Sequence, residues 1–191
     1  MKEALRTMNL LWRMILVHLR ATRLLRRDGN LSLTGVSVIK LTTLPTDIDI
    51  LRHMNNGRYL SLADLGRWDL VVRIGVFART QQLGWIPVLS QASATFRKPL
   101  VVGQRFELQT RMIGTDDRAV VMEQRFVRDE EIHMRLITRT RFVKRAGGIV
   151  TIDELHEQFG TIPDEVPDWV HGWADASRLA STKQQLPSDW T

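Results

Sequence analysis

The chain has 191 residues, 43% of them hydrophobic and 25% charged, with a formal net charge of +6 and no cysteine. That length holds one domain of roughly 100 to 200 residues with extensions, and the balance is that of an ordinary folded protein, which excludes a disordered chain and a membrane bundle. The absence of cysteine removes disulfides, thiolate metal sites and a cysteine nucleophile, and fits a reducing compartment.

Residues 1–27 carry seven Lys/Arg against one Glu (+6), residues 28–145 eighteen against twelve (+6), and residues 146–191 two against eight (−6). The acidic end is expected to offset part of the basic body and to leave the N-terminal arm as the exposed positive element. In that arm, MKEALRTMNLLWRMILVHLRATRLLRR sets Arg6, Arg13, Arg20 and Arg27 every seventh residue, on one slowly drifting face near Lys2 and Asn9. Leu5, Met8, Trp12, Ile15, Leu16 and Leu19 lie away from that face. The spacing predicts a basic amphipathic helix, closed by Asp28, Gly29 and Asn30, in an N-terminal segment 1–30. Between Arg13 and Arg20 only six residues run without Lys or Arg, His18 among them, far short of the ~20 apolar residues that span a bilayer. Cations through the middle of the segment argue against a secretory signal. Two readings stay open: a helix lying in an anionic membrane surface through Trp12 and the leucines, or one docking its apolar stripe on the body or on a twin subunit.

The body, 31–146, starts with LSLTGVSVIKLTT at 31–43, a strand by its β-branched residues. From Gly57 to about Phe77 the chain is apolar on several faces, as in a helix buried by its surroundings, with Asp64–Arg67 and Asp69–Arg73 at pairing distances. Four strand-like runs follow, at 86–98, 104–113, 118–128 and 131–145, with GTDD and RDEE as polar turns. In the last run Ile132, Met134, Leu136, Thr138, Thr140 and Phe142 alternate with a largely cationic face that includes Arg135, Arg139 and Arg141, expected to be solvated. Strand, helix, then four antiparallel strands is an α+β layer pair with the helix on one sheet face. The acidic extension 147–191 offers a capping box at Thr151 and Glu154, then a second short helix and a frayed end. No phosphate-cradling glycine loop, H-E-x-x-H metal site or G-x-S-x-G elbow is present.

The most polar stretch of the chain is DIDILRHMNNGRY, residues 47–59. A thioester hydrolase needs a carboxylate that activates water or attacks the carbonyl, and fixed donors where the oxygen becomes negative. A loop running into a helix supplies such donors through its first, unpartnered N–H groups. Asn56 is the expected N-cap, with Gly57 admitting a substrate to the backbone.

The same stretch resembles the signature of hotdog-fold acyl thioesterases of the 4-hydroxybenzoyl-CoA thioesterase type: D-x-D, a short loop, often H-[VM]-N-N, and a tyrosine ten residues past the second aspartate, an interval that Asp49 and Tyr59 keep. Residues 31–146 are similar to a subgroup that includes thioesterase superfamily member six. The resemblance implies a hotdog fold, with an antiparallel sheet of about five strands wrapped around one long helix. It implies Asp49 as catalytic base or nucleophile, and backbone N–H groups around Asn56 and Gly57 as the oxyanion site. His53 and Asn55 would hold the loop or touch substrate, and Tyr59 would pack. Asp64, acidic in many relatives, would serve the site or pair with a nearby arginine. The chain departs from relatives in carrying Leu51 where plant members have asparagine, and Arg52 where glycine is frequent.

The resulting expectation is a hydrolase cleaving a fatty or aryl thioester of coenzyme A or acyl-carrier protein, without metal or organic cofactor. A homodimer or dimer of dimers is expected, at a cytoplasmic or peripheral inner-membrane location, with peripheral membrane contact through residues 1–27. The alternative is a non-catalytic acyl- or lipid-binding hotdog protein at a membrane surface. Nucleic acid is excluded as a partner, since the basic stretches lack interleaved aromatics.

Overall fold

A computed structural model of the chain describes residues 2–162, 165–179, 184–185 and 187–188, with side chains described from residue 9 onward. The expected roles of Lys2, Leu5, Arg6 and Met8 fall on side chains outside the described residues, and much of the expected frayed end also lies outside them.

Helix α1 (Lys2–Asp28) is followed by β1 (Ser37–Thr42), a 3-10 turn at Pro45–Asp47, α2 (Asn56–Arg73) and α3 (Val76–Leu83). Four strands come next, β2 (Trp85–Phe96), β3 (Arg105–Thr115), β4 (Val120–Arg128) and β5 (Glu131–Lys144), and then α4 (Ile152–Phe159) and α5 (Asp168–Ala176). The strands form one antiparallel sheet in the order β1-β3-β4-β5-β2. Its concave face wraps α2, whose Leu62, Ala63 and Leu65 are sealed against Leu108, Phe126, Met134 and Leu136. Gly66 sets how closely helix and sheet approach. A Cβ there would lie 2.5 Å from Thr110 Oγ1, 2.8 Å from Gln124 Nε2 and 2.9 Å from Leu108 Cδ2. This is the α+β layer pair that the residue pattern implied, in the hotdog arrangement that the resemblance implied.

The boundaries differ in instructive ways. The strand expected at 31–43 begins at Ser37, because the Leu31 N–H donates to Arg73 O at 2.9 Å and closes the end of α2 instead of pairing in the sheet. The helix expected to reach Phe77 stops at Arg73, and Gly75, at φ 78°, turns the chain into α3. The RDEE turn places Asp129 and Glu130 at φ 50° and 62°, the left-handed pair that suits a tight hairpin.

Two expectations about charge are overturned. Arg13 and Arg20 point inward: Arg13 Nη2 donates to Asp47 Oδ2 at 2.9 Å, and Arg20 Nη1 to Asp69 Oδ1 at 2.6 Å. Asp47 and Asp69 are both fully buried, and a buried carboxylate requires such partners. The arm therefore docks through its arginines as well as through Val17 and Ala21, and its apolar side faces out.

The outer face of β5 is covered rather than solvated. Helix α5 lays Val170 on Ile113, Val121 and Ile137, with Trp173 packed beside them. Arg139 is 6% exposed and bonded to Asp116 and Gln91, and Arg135 lies over the Trp169 ring. Part of the acidic end does meet basic body groups, as Glu154 with Lys144 and Glu165 with Arg111. The Thr151–Glu154 capping box forms as its spacing implied.

Candidate active site

Between the 3-10 turn and α2 the chain makes a miniature hairpin. Ile48 bridges Met54, the Asp49 N–H donates to His53 O at 3.0 Å, and the Arg52 N–H to Asp49 O at 3.2 Å. Arg52 sits at φ 65°, the left-handed position that closes a three-residue hairpin loop and favours glycine. Asp49 Oδ1 accepts the Leu51 N–H at 2.9 Å, an Asx turn. Asp49 Oδ2 has no hydrogen-bond partner among the described residues, and His53 Nδ1 lies 3.7 Å from Oδ1. Asp49 thus keeps an oxygen free, while its loop is braced from both sides.

The first aspartate of the motif is the brace. Asp47 accepts from the Leu44 N–H, from Arg13 and twice from Arg58, and its carbonyl takes the Asn55 N–H at 2.9 Å. The two carboxylates divide their tasks because the 3-10 turn buries Asp47, and the chain then extends and leaves Asp49 partly exposed. No charge pattern in the sequence announces that Arg13 and Arg58 converge on Asp47. Only the packing of α1 across α2 brings them together.

The N-cap of α2 is Asn55, not Asn56: its Oδ1 accepts the Gly57 N–H at 2.9 Å. The Arg58 N–H is taken by Asn55 O at 2.8 Å. The expected pair of oxyanion donors at Asn56 and Gly57 therefore narrows to the Asn56 N–H, which has no partner among the described residues and sits at an exposed helix start carrying the positive end of the dipole. Gly57 is exposed, and a Cβ there would meet only Asn55 Oδ1, at 3.2 Å.

Tyr59 is sealed in the core between Phe96 and Phe126, and its oxygen accepts the Leu100 N–H at 3.2 Å. Burial pushes its phenol above the ordinary value, only partly opposed by that amide. Asp64 is exposed and paired with Arg67, as the spacing allowed.

Asp64 and Arg67 also border an apolar cavity of ≈ 310 Å³ between α1, α2, α3 and the β2–β5 edge, walled by Met14, Trp68, Phe77, Leu89, Met122 and Phe142. Asp49 is not among its lining residues. Within one chain the cavity opens two turns further along α2 than the Asp49 hairpin. Trp68 and Phe77 belong to the apolar run of the central helix, and periodicity alone does not tell which apolar side chains face a void. Among the described residues no cluster of three or more His, Asp or Glu groups is placed to hold a metal ion.

A buried central helix, a wrapped sheet and a carboxylate-bearing hairpin at the helix start define a hotdog-fold thioesterase-like protein. Residues 43–173 match the model of the thioesterase-like superfamily, and the chain belongs to that family. Protein THEM6 of Xenopus laevis is 33% identical over 131 residues, covering 66% of this chain and 63% of that relative, so the match spans just under two thirds of the relative's length. Among solved structures, the probable thioesterase YbaW of Escherichia coli superposes with a TM-score of 0.61 at 15% identity, over 64% of this chain and 96% of that one. The DHNA-CoA thioesterase of Staphylococcus aureus gives 0.57 at 12% identity, over 76% and 97%. At such identities the two structures speak for the fold alone.

Proposed function

We propose that the protein hydrolyses an acyl thioester, of coenzyme A or of an acyl-carrier protein, to the free acid and the thiol. One observation carries this reading: a single braced hairpin presents Asp49 Oδ2 and leads directly into α2, and neither that oxygen nor the first amide of α2, Asn56 N–H, has a partner among the described residues. In the reaction, the carbonyl oxygen accepts from that amide as it gains charge, where a fixed donor in a shielded site acts most strongly. Asp49 takes a proton from the attacking water, or attacks the carbonyl itself and is released by water. The thiol leaves with a proton, and the acid is released. Membership of the thioesterase-like superfamily supports the same reaction class.

A complete site then requires a second copy. Ile50, Leu51 and Leu60 beside the hairpin are 96%, 68% and 42% exposed, and β2, at the sheet edge, exposes Ile86, Val88, Leu89 and Phe96. A partner sheet placed edge to edge along β2 covers these groups and closes the substrate channel over Asp49.

The separation of Asp49 from the cavity favours a second reading, a non-catalytic acyl binder. A panel of short, long and aromatic acyl-CoAs, assayed for released thiol and for thermal shift, separates the two. Under the hydrolase reading Asp49→Asn lowers kcat by about 100-fold or more and keeps ligand-induced stabilisation, while Asp64→Asn retains most turnover. Stabilisation without turnover in the unaltered protein selects the binder. A loss confined to Asp64→Asn moves the catalytic role to the cavity mouth.

A further inference from the structure

The outward face of α1 is apolar where an ordinary surface helix is polar. Leu11, Trp12, Leu16 and Leu19 are each more than 60% exposed and Ile15 is 40% exposed, and helical spacing gathers them into one stripe. The stripe runs on into Arg23 and Arg26, both exposed, where a shallow depression is lined by His18, Leu19, Thr22, Arg23, Arg26 and Arg27. No Asp or Glu occurs between residues 4 and 27. The helix is held in this orientation from beneath by Arg13–Asp47, Arg20–Asp69, Val17 and Ala21, so the apolar side is presented by a fastened element.

We propose that this face of α1 is a lipid-binding surface that seats the protein on an anionic bilayer. Trp12 and the leucines enter the boundary between headgroups and acyl chains, to a depth of roughly 5–10 Å, while Arg23 and Arg26 meet the phosphates of the headgroups. Among the described residues no helix is long and apolar enough to cross a membrane, so the contact lies in the plane of the surface. Charge complementarity selects this occupant: the exposed ionic groups that continue the stripe, Arg23 and Arg26, have no acidic partner among the described residues and match an anionic sheet of phosphates.

The other side of the same helix reaches the site. Met14 walls the apolar cavity, and Arg13 holds Asp47, which braces the Asp49 hairpin. A bilayer against α1 lies about one helix diameter, ~10 Å, from that cavity. Resting on the hydrolase reading above, this placement assigns long-chain acyl thioesters partitioned into the bilayer as the substrate class.

The test is co-sedimentation of the full chain with phosphatidylcholine vesicles, with and without phosphatidylglycerol, for three proteins: unaltered, Leu16→Glu/Leu19→Glu, and Arg23→Gln/Arg26→Gln. The unaltered chain is expected to bind the anionic vesicles, and the leucine variant to bind at least about tenfold more weakly. The arginine variant is expected to lose roughly fivefold per cation on anionic vesicles only. All four side chains are outside the core, so melting temperatures in lipid-free buffer should be unchanged. Equal sedimentation of the unaltered chain and the leucine variant overturns the proposal. So does a dimer-to-monomer change in the leucine variant without vesicle binding, which assigns the stripe to a second copy. Short-chain acyl-CoA turnover in lipid-free buffer reads the hydrolase separately. Its absence removes the substrate assignment and leaves the vesicle result to decide the docking surface.

Discussion

Arg52 carries a left-handed backbone at φ 65° in the hairpin that presents Asp49. Any residue with a Cβ in that conformation costs about 1 kcal/mol, and glycine adopts it freely. A glycine at this point would close the same turn without strain, so Arg52 leaves the turn type open to either residue and lowers its stability. Arg52→Gly is expected to stabilise the protein by about 0.5–1 kcal/mol, read as a higher urea midpoint at constant slope. A lower midpoint would show that the arginine side chain makes a contact that outweighs the strain. At this same scale, D-x-D was legible as part of a family resemblance, but the unlike environments of its two members were not. Asp47 is fully buried among two guanidinium groups and Asp49 is partly open, and that contrast comes from three residues of 3-10 turn.

Between elements, the β3–β4 turn is fastened to the outer face of the sheet by Asp116. Burial alone would raise the Asp116 carboxyl, but the Arg139 guanidinium and the amides of Arg118 and Ala119 outweigh it and hold the group below the ordinary carboxylate value. A carboxyl lowered on folding binds fewer protons in the fold than in the unfolded chain. Its stabilisation is therefore complete above the unfolded value of about 4 and disappears as pH falls through the folded value. Asp116→Asn should destabilise the protein by about 2 kcal/mol at neutral pH, and the gap from the unaltered protein should close in denaturation curves taken at progressively more acid pH below about 4. A constant gap across that range would assign the effect to lost packing. The alternation in β5 announced a strand correctly, and its cationic face looked solvated because the helix that covers it lies some thirty residues downstream, beyond the reach of periodicity.

For the whole molecule, we propose the β2 edge as the assembly surface. Its unpaired backbone and exposed Val88, 44% open in one chain, form a template for a second strand. Val88 lies outside the cavity wall, so Val88→Lys tests the edge without altering the pocket. Sedimentation velocity should show a dimer for the unaltered protein and a monomer for the variant, with acyl-CoA turnover lost alongside. A variant that remains dimeric and active would place the interface elsewhere.

The sequence by itself determined the order of the strands and the central helix, the burial of that helix, the turn chemistry and the polar loop at the helix start, since each rests on periodicity or on spacings of a few residues. Only the tertiary structure decided which way α1 faces, that Asn55 rather than Asn56 caps α2, and that α5 lies on the sheet. It also decided that the cavity opens beside Asp64 and not beside Asp49. The orientation of α1, the cover over the sheet and the lining of the cavity depend on partners tens of residues away. Arg13 looks like a surface cation until Asp47 is brought beneath it, and the energy of burying that carboxylate turns the helix with its leucines outward.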